Sequence, residues 1–553
     1  MKTGYKNIYQ KYKNCITNVI FPLILFFYPL IKINQGVDVS DSTYSLGNYL
    51  FFKRLGGTWW VISTYLSNVI GWLLTKLPFG DTLLFMNLYT GLIVSALTIG
   101  LYFLLRKWMP AWIAFLGEFI AIGFLWIPTG ILYNYLTYTF FALGAVFLYK
   151  GLAEEKNVML ITAGILLGLN VFVRVPNVAE TALIVCVFYY SYICRETIQI
   201  AAKKTGLCIA GYLLGVAVPL IMILVQYGLQ DVLKMIRGLS QIQNGDDSYS
   251  LWSMIRTTLD AYIRTGKWVV FFLAGILILF RFFWGRGMFS FRYYEDYSSM
   301  YEWGMIGLYL ALVACAYLLW GKGVSESERL LGMLSFVILC ITPLGSNNYT
   351  YQNLNNLFLT APITVYAFVK LFRRRYAREK EVLHFPWKMM VMSLVAMILL
   401  QSIGFHAVFV FRDGMRGEKR DTKITGTLTA DNMKTNAKNA EELTGLMQYC
   451  ETEKLTGTEA IFYGDAPGLA FLLRMPSAIS TSWADLDSYA LSDFDTELQG
   501  LTSAPVIIMK KTEAATDTAA LKEDILLDFI VSKHYNITYE NEGFTVFRSG
   551  GIK

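Results

Sequence analysis

The sequence predicts an α-helical polytopic membrane protein that carries a small α/β domain at its carboxyl-terminal end. Three observations predict it. The 553 residues are 55% hydrophobic, 15% aromatic and only 16% charged, with mean hydropathy +0.43, a balance too apolar for a soluble chain of this length. Apolar runs long enough to cross a bilayer recur from Ile16 to Phe411, and about 11 to 13 spans fit that stretch. Beyond Phe411 the long apolar runs stop and charges become frequent.

The first span, Ile16 to Ile33, follows Lys2, Lys6, Lys11 and Lys13. The positive-inside rule therefore puts the amino terminus in the cytoplasm. No A-x-A-like exit follows, so this run reads as an uncleaved span rather than a removed signal peptide. The first outer loop covers 34–81 and holds Trp59-Trp60 and a Ser-, Thr- and Asn-bearing stretch to Leu77-Pro78 that suits an interfacial helix. Further spans are expected at about 82–105, 111–128, 131–149, 158–173, 178–194 and 206–226. Arg106-Lys107, Lys150, Arg195 and Lys203-Lys204 then all fall on the cytoplasmic side.

Next come a polar amphipathic stretch, 228–267, and apolar runs at about 268–284, 303–320, 329–343, 355–371 and 388–411. A lone full crossing by 268–284 would carry Arg373-Arg374-Arg375 outside, against the rule at its strongest signal. Either 268–284 crosses incompletely or 228–267 hides another crossing. Both repairs return that cluster to the cytoplasm and leave residues 285–294 and 345–350 outside. Domains are thus expected at 1–411, transmembrane, and 412–553, extracytoplasmic. In the second, Ala460–Asp465 and Pro505–Met509 read as buried strands, Leu521–His534 as a helix and Ile537–Phe547 as a hairpin.

A net charge of +7 does not indicate a nucleic-acid partner, because excess Lys and Arg in such a chain mark cytoplasmic loops. Seven cysteines without a CxxC pair and three scattered histidines supply neither a disulfide framework nor a zinc site.

Asp38 and Asp41 lie just past the first span, in a region poor in charge. Most loop carboxylates are simply solvated, but at membrane depth a carboxylate is costly without a role. Tyr44, Asn48 and Tyr49 follow Asp41 at helical spacing, and Asp41 itself suits the N-cap of that helix. A carboxylate so placed is able to take a proton from a hydroxyl nucleophile. Asp41 ranks ahead of Asp38.

These features, with the cytoplasmic start, resemble the GT-C superfamily of integral-membrane glycosyltransferases, in particular protein O-mannosyltransferases and aminoarabinose transferases. Tyr133-Asn134-Tyr135, Gly164 to Gly168, the Arg174-Val175-Pro176-Asn177 corner and Tyr463-Gly464-Asp465-Ala466-Pro467-Gly468 add to the likeness. The resemblance spans the whole chain in architecture through short motifs. It implies inverting transfer of a sugar from a polyprenyl-phosphate carrier to a glycan, lipid or protein acceptor on the outer face of the cell membrane. By position it assigns the base or acceptor-positioning role to Asp41 or Asp38, although Asp-x-x-Asp stands here instead of the family's adjacent acidic pair.

A phosphate leaving group needs a cation where charge develops, and the arginine fork binds phosphate in two places. Arg174 is the first candidate, followed by Lys53, Arg54, Arg286 and Arg292, each of which also suits snorkelling to the interface. Tyr44, Asn134, Tyr135, Asn347, Asn348 and Asn355 are candidates for hydrogen bonds to sugar hydroxyls, against plain helix capping. Glu118, inside a span, is expected to hold Arg174 or a tyrosine, and Glu180 is similar. Asp246-Asp247 reads as a solvated turn. No metal ligand set is identified; a divalent cation on Asp41 is compatible with carboxylate chemistry, and nothing in the sequence specifies one. The competing class is a transporter or flippase for a lipid-linked or polar substrate, disfavoured by the lack of internal pseudo-symmetry and by the terminal domain. A structural or sensory membrane protein is a weaker third reading.

Overall fold

The computed structural model describes residues 12–127, 130, 132–239, 250–274, 297–345, 348, 350–378, 387–414, 418–512 and 516–549. The chain is a mostly helical, multi-pass membrane protein with a small carboxyl-terminal α/β region. Among the described residues seven helices are long and apolar enough to cross a bilayer: Tyr12–Leu30, Leu83–Leu105, Leu132–Ala153, Ile198–Gly238, Glu302–Trp320, Glu326–Leu344 and Trp387–Val408. Tyr65–Leu74, Ala111–Phe124 and Asn157–Val173 are shorter apolar helices.

The pairing of Asn157–Val173 with Ile198–Gly238 shows how the bundle closes. Gly164 and Gly168 face Gly211 and Gly215, and a methyl on any of the four would collide with a backbone carbonyl of the facing helix. Small residues spaced by four let two helices approach to backbone contact in lipid. This gives a packing reason for the glycine repeat noted in the sequence. The expected span at 178–194 begins instead as a 3-10 helix, Val175–Ile184, before turning α-helical at Val185–Ile193. Pro176, with its fixed φ and missing N–H, sits in the first turn.

The long helix bends at Gly228, whose φ of 81° is one that glycine tolerates. Leu251–Ala274 then forms one helix, joining the polar end of the 228–267 stretch to the start of the apolar run; the rest of that run lies outside the described residues.

The carboxyl-terminal region opens with the short antiparallel pair β1 (Thr422–Lys423) and β2 (Lys434–Thr435). Its main sheet contains β3 (Ala460–Tyr463), β4 (Val506–Lys510), β5 (Tyr535–Glu540) and β6 (Phe544–Ser549), in the order β3-β4-β6-β5. β3 and β4 are parallel and the other pairs antiparallel. The β5–β6 turn is set by Asn541, whose side-chain oxygen accepts from the backbone N–H of Gly543 and Phe544. Helices Ala437–Thr452, Leu469–Leu472, Leu491–Gln499 and Asp517–Ser532 pack with these strands in the region.

This region is fastened to the loop after the first span. Gly36 N–H donates to the Lys434 carbonyl, and Lys434 N–H donates to that of Asn34. Gly468 N–H donates to Val39, and Arg474 pairs with Asp81 at 2.6 Å. Buried Val37, Leu46 and Tyr49 share one apolar cluster with Phe462, Phe471 and Val546. At the membrane boundary Lys32 donates to the carbonyls of His406 and Phe409, satisfying acceptors left open at the end of the last span. First and last spans are thus tied where both emerge.

Candidate functional site

The chain turns from the first span into helix Asp41–Leu50 through a built corner. Asp38 accepts the backbone N–H of Ser40 at 2.8 Å and of Ser42 at 2.7 Å, and its carbonyl accepts the Thr43 hydroxyl. It is 5% exposed. Asp38, rather than Asp41, therefore satisfies the open N–H groups at this helix start. The expected capping role moves back three residues because the turn folds the earlier carboxylate over the helix end. Burial, reinforced by the charge of Asp41, pushes the Asp38 carboxyl up to about 7.

With the cap supplied, Asp41 is free to face a cavity. That cavity holds about 430 Å³ and is lined on one side by Asp41, Tyr44, Ser45 and Asn48 from a single face of the helix. Trp59, Trp60, Tyr133 and Arg174 extend it, and Trp483 and Asp487 close it from the carboxyl-terminal region. Tyr44 meets Trp483 edge-to-face at 5.3 Å, and its hydroxyl lies 3.3 Å from that of Thr481. The cavity is walled by aromatic and polar groups, the mixture a polar ligand with apolar faces requires.

The ion pair at the cavity is Asp41 Oδ2 to Arg412 Nη1, 3.1 Å. Arg412 Nη1 also donates to Ser40 Oγ at 2.6 Å, and Ser40 Oγ donates to Asp465 Oδ1 at 2.8 Å. Asp465 in turn places its N–H on Asp485 Oδ2 at 2.7 Å. Both Arg412 (φ 46°) and Asp465 (φ 52°) hold left-handed backbone, which costs non-glycine residues energy and persists only where the surroundings enforce it. Burial raises the Asp41 carboxyl above its ordinary range, while Arg412 and, more weakly, Arg174 pull it down. Burial works against the Arg412 charge, but Asp41, Asp465 and Asp38 outweigh it and hold that group above its usual value.

Of the predicted cations among the described residues, Arg174 is the one that lines this cavity. Its guanidinium carbon is 5.8 Å from the centre of the Tyr133 ring, a cation–π geometry. It also borders a smaller neighbouring cavity with Asn134, Tyr138, Asn177 and Gln352, so one arginine separates two polar spaces. Asn134 faces that second space.

Other candidates stand elsewhere. Lys53 and Arg54 are exposed and outside the cavity lining, with Lys53 over the Trp72 ring at 5.1 Å. Tyr135 donates to the Trp126 carbonyl, and the Asn355 side chain accepts the Trp126 N–H at 2.9 Å. These two shape the corner after Ala111–Phe124 rather than reach the cavity. Asn348 is exposed. Arg286, Arg292, Asn347 and Asp246-Asp247 lie outside the described residues. Glu118 does not hold Arg174 or a tyrosine: it is fully buried and neither carboxylate oxygen has a hydrogen-bond partner. Both Glu180 carboxylate oxygens accept from the Asn170 amide nitrogen, at 3.0 and 2.8 Å.

Among the described residues no group of three or more His, Cys, Asp or Glu could hold a metal ion. Asp41 Oδ2 faces the Arg412 guanidinium, and Asp38 accepts two backbone N–H groups.

The sequence reading missed Arg412 and Trp483. Arg412 is the first charge after the last span, on the side where Asp41 stands, and that position was a usable signal. Nothing in the local sequence pointed Trp483 at Tyr44.

Two solved structures of the Archaeoglobus fulgidus oligosaccharyltransferase share this architecture. One is a complex with Zn and sulfate, the other, AglB, a complex with an inhibitory peptide and a dolichol-phosphate. Each matches at TM-score 0.50, with 11% and 12% identity, over 96% and 98% of this chain and 73% and 75% of theirs. ArnT from Cupriavidus metallidurans bound to undecaprenyl phosphate matches at TM-score 0.40 and 12% identity, over 97% of this chain and 98% of its own. No family model and no curated protein matches the chain. The likeness to the two oligosaccharyltransferase structures is one of fold.

Proposed function

We propose that the protein is an inverting membrane glycosyltransferase. It moves a sugar from a polyprenyl-phosphate carrier to a hydroxyl of an envelope glycan, lipid or protein. The observation that carries this reading is a single cavity in which a carboxylate on a helix face, Asp41, stands with Arg174 and is paired to Arg412. The acceptor oxygen attacks the anomeric carbon, the bond from that carbon to phosphate oxygen breaks, and the acceptor proton passes to Asp41. A carboxyl raised by burial holds a proton more readily than a solvated one, which suits this step. Arg174 and Arg412 stabilise the charge on the departing lipid phosphate. As the phosphate arrives it competes for Arg412 and releases Asp41 to act. Tyr44, Asn48 and Trp483 bind the sugar.

The same reading puts the cavity on the outer face of the plasma membrane and the amino terminus in the cytoplasm. Arg106 and Arg195 follow the carboxyl-terminal ends of Leu83–Leu105 and Val185–Ile193, and Lys150 and Arg373 lie in the closing turns of Leu132–Ala153 and Thr360–Arg378, which this reading places on the cytoplasmic side as the positive-inside rule asks. Residues 412–553 then form an extracytoplasmic domain. Purified protein supplied with polyprenyl-phosphate sugars and envelope acceptors tests the reading: donor consumption with product formation supports it. Passage of substrate across liposomes without consumption assigns the protein to transport.

A further inference from the structure

A second crevice in the bundle has none of the Asp41 cavity's lining residues. It holds about 530 Å³ between helices Ala111–Phe124, Thr360–Arg378 and Trp387–Val408, with Leu116, Phe368, Phe372, Val391 and Val395 among its walls. Among the described residues its charged lining is Arg373 and Lys388, both exposed. These belong to the carboxyl-terminal end of one helix and the amino-terminal end of the next, so both cations stand at one mouth. Along the first helix the apolar wall runs back from Arg373 to Val365, roughly 12 Å at helical rise. Along the other it runs from Lys388 to Leu399, roughly 16 Å. The 22-residue helix Trp387–Val408 separates Lys388 from Arg412, which is the thickness of a hydrocarbon core. The mouth therefore opens on the membrane face opposite Asp41. Met389 and Met392 beside it are exposed.

We propose that this crevice is a binding site for an anionic bilayer phospholipid. One acyl chain lies along the apolar wall, and the phosphate is held between Arg373 and Lys388. The match is in both shape and charge: an apolar slot parallel to the helices, closed at the headgroup level by two cations. Basic pockets between spans on the face carrying the positive clusters bind anionic headgroups in this way. Being at the opposite face, the site is separate from any lipid-phosphate donor at Asp41, and it does not depend on the transferase reading.

The test uses full-length protein in nanodiscs of mixed phosphatidylglycerol and phosphatidylcholine, with co-purifying lipid counted by native mass spectrometry. Wild type is expected to retain phosphatidylglycerol over phosphatidylcholine by roughly tenfold or more, and Arg373→Gln with Lys388→Gln to lose that preference. Equal retention of both lipids by wild type, or an unchanged preference in the double variant, overturns the proposal. A second measurement needs no variant: phosphatidylglycerol carrying a photoreactive acyl chain should label peptides within 365–373 and 388–399. Labelling only elsewhere, or labelling of these peptides by polyprenyl phosphate in preference to phosphatidylglycerol, overturns it equally.

Discussion

Arg412 Nη1 stands 3.1 Å from Asp41 Oδ2 and 2.6 Å from Ser40 Oγ, so the first charge after the last span closes on the helix that follows the first. The two ends of the membrane bundle thereby meet in one ion pair. Both side chains keep contact with solvent, 45% for Arg412 and 32% for Asp41. In a pair only partly withdrawn from solvent, the cost of desolvation offsets much of the attraction, and its value is therefore sought in chemistry. Arg412→Gln is expected to lower transfer by about 100-fold or more, the loss typical for removing a charge-stabilising group. The melting temperature should stay near wild type. A large thermal shift with residual activity intact would mark the pair as structural.

Arg174 and Arg412 approach the cavity from different elements and should act on different quantities. Arg174, with no ion-pair partner among those described, is expected to hold the donor phosphate in both ground and transition states. Arg174→Gln should then raise KM for the lipid-linked donor with a smaller change in kcat. Steady-state kinetics with varied donor separates the two arginines.

Asp38 offers a test of position. Its carboxylate is spent on two backbone N–H groups, so Asp38→Ala should destabilise by about 0.5–2 kcal/mol, as for lost helix caps. Asp38→Asn should keep an acceptor there and most of the activity. Thermal melting together with turnover distinguishes this from a catalytic role.

The same group sets a pH dependence. Burial raises Asp38 from 3.8 to about 7 in the folded state, so between those values the folded protein holds a proton that the unfolded chain has released. Stability from this group is fully present below about pH 4 and is lost as pH rises through about 7. Melting followed across that window should show a decline in wild type that Asp38→Asn flattens.

Helix packing gives the plainest stability prediction. Gly168→Ala puts a methyl against the Tyr212 carbonyl, and such overpacking costs typically about 1–3 kcal/mol. Gly100→Ala, where a β-carbon meets nothing, is the control.

Much of this architecture was legible because spans announce themselves by composition. Leu83–Leu105 and Asn157–Val173 fall within a residue or two of their expected bounds, and β3, β4 and the β5–β6 hairpin follow from short apolar runs and an Asn-Glu-Gly turn. The helical spacing of Asp41, Tyr44 and Asn48 was also readable, and the structure puts all three on one wall. What escaped depended on tertiary closure. Arg412 meets Asp41 only because the last span returns beside the first, and Trp483 reaches Tyr44 only because Gly468 docks on Val39. The roles of Tyr135 and Asn355 were hidden likewise, since both are fixed by the backbone of Trp126. No local pattern encodes such meetings.

The central claim, that Asp41 accepts the acceptor's proton, is tested most directly by comparing Asp41→Asn with Asp38→Asn. The measurement is single-turnover consumption of a polyprenyl-phosphate-linked sugar by purified protein. Loss of transfer by about 100-fold or more in Asp41→Asn, with donor binding retained and Asp38→Asn close to wild type, is the predicted result. Undiminished transfer by Asp41→Asn would contradict it.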